Sequence, residues 1–281
     1  MLKYTKNFNS GKVIDAGFLL IIFVIIFTLL PKPVLAQETL RLGIMPLQSE
    51  ERTREIFQPM SRYIQHLTGQ KVELITYPNF ISYWSETQKG DTYDIVFDAA
   101  NFIDYRNKSH DFTVIARQPG TISISLVVPE DSFVFDPEEL IGKKISTLGP
   151  PSLTAINIYN MYDNPTRQPT IVEADNTQHV VAMMREGSVD AGMIPTPMVS
   201  AIMAAEGGIN VVTTTEPVPG MGISVSPNVT SDIREKLVKG FLEADKTPEG
   251  QKMLEGTSLN PFEKTSNQDY FGFSEMMMDQ L

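Results

Sequence analysis

The sequence predicts an α/β protein of two lobes, each a mostly parallel sheet flanked by helices, with a ligand cleft between the lobes. Three observations carry this prediction. Short apolar strands alternate with amphipathic helices from residue 40 onward, and the alternation begins again after residue 122. An extended, turn-rich segment containing proline and glycine, Thr213–Gly222, then follows the second series.

The first series opens with a strand at Leu40–Met45, where apolar residues alternate with others. Ser49 is expected to cap a helix whose apolar residues share one face, and Gly69 is expected to end it. The remaining elements complete a β-α-β-α-β run, the order typical of a mostly parallel sheet with helices on its faces: strand 72–76, helix 80–89 and strand 93–97.

The second series begins with a longer strand at 122–129. A compact helix is expected next, because Asp136 can cap it, Pro137 suits its first position, Glu139 can close a capping box, and Gly142 can end it. The alternation then continues through strand 144–147, helix 152–162, strand 170–173, helix 177–186, strand 190–194, helix 197–206 and strand 209–213.

These patterns divide the chain into four parts. We expect residues 1–36 to be a signal peptide, 37–121 the first part of lobe 1, 122–215 lobe 2, and 216–281 the return to lobe 1 with a packed C-terminal tail. The chain is expected to cross between lobes at Gly120–Ser125 and at Thr213–Gly222. Two helices, 230–243 and 248–254, are assigned to the first lobe.

The N-terminus has the three-part layout of a secretory signal. Basic residues precede an apolar run of 15 residues, Ala16–Leu30, and the small or β-branched residues of Val34–Ala36 come directly before Gln37. A spanning helix needs about 20 apolar residues, so cleavage and export to the periplasm are predicted, with an uncleaved anchor as the alternative. The chain contains no Cys, which excludes a lipid-anchored lipoprotein.

Composition excludes several classes of function. Zero Cys excludes disulfide scaffolds, Cys-ligated metal centres and Cys nucleophiles, and the three His are far apart in no metal-binding pattern. We therefore predict no cofactor and no metal. The net charge of −11 argues against binding to nucleic acid. An anionic ligand would have to be held by local dipoles and hydroxyl groups rather than by a basic surface.

Ligands of open α/β sheets bind at the carboxyl ends of the strands, and three segments occupy such positions: Pro78–Phe80, Asp98–Asn101 and Leu148–Thr154. In the third segment a proline-rich turn leads into a helix that begins with Ser152 and Thr154. The unpaired amides of a helix N-terminus, together with two hydroxyls, could bind an oxyanion. The alternative is that Ser152 is only the helix cap.

Several motifs occur in a characteristic order: L-R-L-G-I, Y-D-I-V-F, D-P-E-E-L-I-G-K-K-I, G-P-P-S-L-T and G-S-V-D-A-G. With the export signal, this order resembles the periplasmic binding proteins of phosphate, phosphite and phosphonate ABC transporters, over nearly all of residues 39–255. The resemblance implies a type II periplasmic-binding fold that closes over its ligand, a small anionic ligand, a membrane permease as partner, and no catalysed reaction. A monomer is expected.

The resemblance also implies which residues bind the ligand. The family's phosphonate-cradling Ser-Thr-Ser falls on Ser152, Leu153 and Thr154, so two hydroxyls remain. A binding Tyr falls on Phe80, and a His falls near Thr177. The carboxylates with which the family recognises an amino group fall on apolar side chains instead, at Pro197 and Met221.

A second binding Tyr of the family falls on Asp98. A carboxylate facing a dianion is repulsive, so Asp98 would instead accept a proton from a singly protonated oxyanion, or meet an amine or hydroxyl group. The alternative is that Asp98 caps the helix that begins near Asn101.

The departures from the family pattern keep two other functions open. One is a ligand-sensing or interaction protein of the same fold, with a different or lost ligand. The other is an enzyme on this fold, which is less favoured because no Ser-His-Asp arrangement, metal cluster or paired acid–base motif is present in the sequence.

Overall fold

The structure is a computed structural model that describes residues 1–2, 39–164 and 166–278. The predicted signal peptide therefore lies outside the described residues, apart from its first two. Both sheets belong to one compact unit, Glu38–Leu281. Within the described part of the chain, no helix combines the length and the apolar content that crossing a membrane requires.

The first half of the chain alternates strands and helices: β1 (Leu40–Ile44), α1 (Glu50–Thr68), β2 (Val72–Ile75), α2 (Phe80–Thr87), β3 (Ile95–Asp98), α3 (Ala100–His110), β4 (Thr113–Arg117), β5 (Thr121–Ile122) and β6 (Ile124–Pro129). The second half continues with β7 (Lys144–Leu148), α4 (Leu153–Met161), β8 (Thr170–Ala174), α5 (Thr177–Arg185), β9 (Ala191–Pro195), α6 (Thr196–Ala205), β10 (Ile209–Thr214), β11 (Val218–Pro219), β12 (Gly222–Val225), α7 (Ser231–Leu242), α8 (Pro248–Thr257) and α9 (Glu275–Met278).

The first sheet has the strand order β2–β1–β3–β12–β4. Strand β1 is parallel to both of its neighbours, so that Leu42 pairs with Leu74 on one side and with Ile95 on the other. Only β12 runs against the other four strands, because it is antiparallel to both β3 and β4. The strand β12 comes from the far end of the chain, after the whole second sheet.

The second sheet has the order β10–β6–β9–β7–β8 and repeats this plan. Strands β7, β8 and β9 are parallel, while β6 is antiparallel to both β9 and β10. Each sheet therefore has four strands in one direction and a single reversed strand. The predicted α/β class with two mostly parallel sheets is confirmed.

Two segments connect the sheets, residues 118–123 and 215–221. Each contains one strand of a two-stranded antiparallel ribbon, β5 with β11, in which Ile122 pairs with Val218. After the second crossing, α7 and α8 pack against α1, and the Tyr63 hydroxyl of α1 donates to the Gly240 carbonyl of α7 at 2.7 Å. The chain thus returns to the first sheet, while the lobe boundaries at residues 121 and 215 stay predictions.

Local capping explains several element ends. Ser49 accepts a hydrogen bond from the Arg52 amide at 3.3 Å, and Gly69 ends α1 in the left-handed conformation, as expected. The capping box of Asp136 and Glu139 is present, but the element it begins is a four-residue 3₁₀ helix, Pro137–Leu140, rather than a longer helix. The strand β4 was not predicted from the sequence.

The C-terminal tail packs as predicted. The hydroxyl of the buried Tyr270 donates to the Gly220 carbonyl at 2.7 Å, which ties the tail to the second crossing segment. Phe262 is also buried, against Phe97 and Phe241 of the first lobe. The tail therefore stabilises the lobe that carries β12.

Candidate functional site

A pocket lies between the two sheets at the carboxyl ends of their strands, where α/β proteins bind ligands. Its lining residues come from both lobes and from the crossing segments: Met45, Leu47, Phe80, Ala99, Phe102, Ile122, Ile124, Leu148, Ser152, Leu153, Thr154, Pro195 and Met221. None of these side chains is charged. The two hydroxyls, of Ser152 and Thr154, are the polar side-chain groups of this set.

The second lobe contributes the start of α4. Ser152 is the N-cap of this helix, and its Oγ accepts a hydrogen bond from the Ala155 amide at 3.1 Å. The same Oγ lies 2.9 Å from Thr154 Oγ1 and donates to the Leu148 carbonyl at 3.2 Å. The cap predicted for Ser152 is thus present, and the backbone amides of Leu153 and Thr154 have no acceptor within the helix.

The first lobe contributes the starts of α2 and α3. Phe80 is the first residue of α2, which is capped by the Asn79 side chain. Ala99 is the N-cap of α3 and offers no side-chain cap, which leaves the first amides of α3 without a side-chain acceptor. Three helices therefore begin at one pocket. Each helix N-terminus carries about half a positive charge, so three helix starts near one pocket favour negative charge although no cation lines it.

Four of the six predicted site residues come together at this pocket: Phe80, Ser152, Leu153 and Thr154. Phe80 packs edge-on to Tyr83 and is almost fully buried. Of the two positions where the family would carry carboxylates, Met221 lines the pocket and Pro197 does not. The ligand-binding roles of these residues stay predictions.

Asp98, for which a ligand contact is predicted, is not among the residues that line this pocket. Its side chain is fully buried, and Oδ2 accepts a hydrogen bond from Arg106 Nε at 2.7 Å. The Tyr83 hydroxyl donates to the other oxygen, Oδ1. The alternative prediction, that Asp98 caps α3, is wrong, because Ala99 is the N-cap and no side chain caps this helix.

The partner of Asp98, Arg106, is fully buried on α3. Its Nη2 donates to the hydroxyls of Tyr83 at 3.0 Å and Thr87 at 2.9 Å, and its guanidinium lies 4.9 Å from the centre of the Tyr93 ring. Burial acts to lower the pKa of Arg106, but Tyr83 and Asp98 outweigh it and raise that pKa. Burial raises the pKa of Tyr83 well above its usual value, so that hydroxyl stays protonated.

Thr177, which is also predicted to bind the ligand, does not line this pocket. It is the first residue of α5, and its backbone amide donates across the cleft to the Leu47 carbonyl at 3.3 Å. Its side chain lines a separate groove between α5 and α6. The helix α5 lies where the sequence predicts it, and the backbone of Thr177 connects the two lobes.

Direct contacts join the two lobes beside the pocket. Asn101 Nδ2 of α3 donates to the Pro151 carbonyl, one residue before Ser152, at 2.9 Å. Gln178 of the second lobe donates to Gln48 of the first. Buried apolar residues of both lobes also form one continuous cluster. Asn101 ends the segment Asp98–Asn101, which the sequence places at the carboxyl end of a strand, but its contact with Pro151 has no local signal in the sequence.

The sequence matches the model of one protein family, described as the periplasmic substrate-binding protein of the phosphonate ABC transporter, over residues 42–270. No sequence among curated proteins matches the chain.

Solved structures share its fold at low identity. A binding-protein component of a phosphonate ABC transporter from Pseudomonas aeruginosa has a TM-score of 0.74 at 15% identity, covering 87% of each chain. PhnD1 from Prochlorococcus marinus, solved with methylphosphonate, has a TM-score of 0.76 at 12% identity, covering 87% of this chain and 98% of that one.

A third structure, XAC2383 from Xanthomonas citri bound to ATP, has a TM-score of 0.69 at 14% identity and covers 86% and 97% of the two chains. These three likenesses place the fold among the type II periplasmic-binding proteins. The family match covers most of the described residues, including every residue that lines the pocket. The chain belongs to the family of periplasmic substrate-binding proteins of phosphonate ABC transporters.

Proposed function

We propose that this protein binds a small oxyanion of the phosphonate or phosphate type in the periplasm and delivers it to the permease of an ABC transporter. The observation that carries the proposal is the start of three helices, α2, α3 and α4, at one pocket without a charged lining residue. Backbone amides and helix dipoles can hold an anion there without adding net charge. Binding through backbone amides and helix dipoles needs no cationic side chain, so it is compatible with the net charge of −11.

The apolar lining of the pocket indicates which substituent on the oxyanion would be preferred. Met221, at a position where the family would carry a carboxylate, offers no acceptor to an amino group. Phe80 and Phe102 offer aromatic surface from the first lobe. We therefore propose that a small alkyl group on the oxyanion is preferred over an aminoalkyl group.

The lining residues support binding without conversion. General acid–base or nucleophilic catalysis needs a titratable side chain beside the nucleophile. The hydroxyls of Ser152 and Thr154 bond to each other and to backbone groups, and the lining set contains no His, Asp, Glu, Lys or Cys. We therefore propose that the protein binds its ligand and does not catalyse a reaction.

A second candidate function is a sensing or interaction protein of the same fold whose ligand is different or lost. The direct contacts between the lobes favour it, because Asn101 and Thr177 hold the lobes together through hydrogen bonds that need no ligand. The two candidates differ in whether small oxyanions bind at all.

A thermal-shift panel of phosphate, phosphite, methylphosphonate and an aminoalkylphosphonate separates them. A ligand at about 100 times its Kd adds about 2.7 kcal/mol to the free energy of unfolding, which raises Tm by roughly 5–10 °C. We expect such a shift with methylphosphonate and a smaller one with the aminoalkylphosphonate. Potassium chloride at equal ionic strength is the control, and a panel without any specific shift would contradict the transport function.

Replacing Ser152 with Ala and Thr154 with Val should lower the affinity for the best ligand of the panel by roughly 10-fold, because two hydroxyl contacts are lost. The loss of the Ser152 cap costs about 1 kcal/mol of stability, so binding is measured by calorimetry well below Tm. The matched control is Ser125→Ala with Thr196→Val, a hydroxyl pair of the same lobe 2.8 Å apart that does not line the pocket. If both double variants bind the ligand with equal affinity, the ligand does not contact Ser152 and Thr154.

A further inference from the structure

The C-terminal tail, residues 260–278, is bonded to both segments that connect the lobes. The hydroxyl of the buried Tyr270 donates to the Gly220 carbonyl in the second crossing segment at 2.7 Å. At the first crossing segment, the Gln118 side chain forms two hydrogen bonds of 2.9 Å with the backbone of Asn260. None of these four residues lines the pocket, so the tail holds the two connections from outside the binding site.

Gly220 lies where the two crossing segments contact each other. A Cβ atom at this position would collide with the Gln118 carbonyl oxygen, so the contact has no room for a side chain. The Gly220 amide donates to the Gly120 carbonyl at 3.2 Å, and the Gln118 amide donates to the Met221 carbonyl at 2.8 Å. The position of Gly220 therefore determines the position of the next residue, Met221, which lines the pocket.

The tail around Tyr270 is itself anchored on helix α3. Asp104 of this helix is buried, and its Oδ2 accepts hydrogen bonds from the Gly272 amide at 3.1 Å and from the Ser274 amide and hydroxyl at 2.8 and 2.6 Å. The same helix carries Phe102, which lines the pocket. Tyr270 thus links two parts of the pocket lining, the helix α3 and the second crossing segment.

The bond from Tyr270 restrains the second crossing segment because Gly220 is buried. A buried carbonyl that loses its donor is costly, so without the hydroxyl the segment would move until this carbonyl reaches water or another donor. Met221 follows directly and would move with it. Only the fraction of molecules that keep Met221 in place would then bind a ligand with the original affinity.

We infer that Tyr270 is a positioning residue for ligand binding: its hydroxyl holds Gly220 and thereby keeps Met221 in place in the pocket lining. Tyr270 does not line the pocket itself, so it acts through these two residues. The inference rests on the proposed oxyanion function. It gives the C-terminal tail a role in binding besides its packing on the first lobe.

Calorimetry with methylphosphonate tests this on Tyr270→Phe, which removes the hydroxyl and keeps the packed ring. The affinity should fall roughly 10-fold below that of the wild type. The matched control is Tyr63→Phe, because the hydroxyl of the buried Tyr63 also donates to a glycine carbonyl of the first lobe at 2.7 Å, that of Gly240. Neither residue of this pair lines the pocket, so the control should lose similar stability and keep the wild-type affinity.

Hydrogen exchange without ligand tests the position of the second crossing segment directly. Tyr270→Phe should raise the amide exchange rates of residues 215–221, whereas Tyr63→Phe should leave them at their wild-type values. Equal methylphosphonate affinities of the two variants would overturn the inference, and so would unchanged exchange of residues 215–221 in Tyr270→Phe. If the wild type binds no oxyanion, the proposed function fails, while the exchange rates still decide whether Tyr270 holds this segment.

Discussion

Replacing Arg106 with Met is expected to lower the free energy of unfolding by about 3–5 kcal/mol. The substitution leaves the Asp98 carboxylate fully buried without its cation, and the hydroxyls of Tyr83 and Thr87 lose a donor. The cost of a buried, unpaired charge exceeds that of the lost contacts themselves. Chemical denaturation with urea, followed by circular dichroism, measures the change.

A double variant shows whether the buried charge causes this loss. Asp98→Asn with Arg106→Met removes the leftover charge and keeps an oxygen that can accept from Tyr83, so it should recover a large part of the stability. Arg52→Met is the surface control, because the ion pair of Arg52 with Glu55 is well exposed and worth at most about 1 kcal/mol. A double variant as unstable as the single one would show that packing, not charge, determines the loss.

The buried ion pair of Asp98 and Arg106 could not be predicted from the sequence. Asp98 follows a strand and precedes a helix, a place where ligand residues and caps both occur. Its partner, Arg106, is on the helix that follows, α3, at a position that the sequence does not mark as buried. Arginine is rarely buried unless paired, so only the packing of α3 on the aromatic cluster of Tyr83 and Tyr93 identifies the pair.

The fold was easier to predict than the site. Hydrophobic periodicity and caps, such as those of Ser49 and Asp136, are local signals, and they located most strands and helices. The Ser152 helix start was predictable for the same reason. The contacts of Asn101 with Pro151 and of Thr177 with Leu47 join segments from different lobes, and no local pattern encodes such contacts.

Introducing a carboxylate at Met221 should change the ligand preference of the pocket. Met221 lines the pocket at a position where the family would carry an acidic residue, and it is half-buried. Two negative charges about 6 Å apart at an effective dielectric constant of about 20 repel by about 3 kcal/mol. Met221→Glu is therefore expected to weaken methylphosphonate binding by about 100-fold.

An aminoalkylphosphonate should lose much less affinity in Met221→Glu, because its ammonium group can pair with the new carboxylate and offset the repulsion. Met221→Gln keeps the length and polarity of Glu without its charge, so it should weaken methylphosphonate only slightly. Calorimetric affinities of both ligands for the three proteins give the comparison. If Gln and Glu weaken methylphosphonate equally, the loss comes from polarity or shape, and the anion does not lie near Met221. If only Glu weakens it and the aminoalkyl ligand is spared, the apolar side chain at this position is what sets the alkyl preference of the pocket.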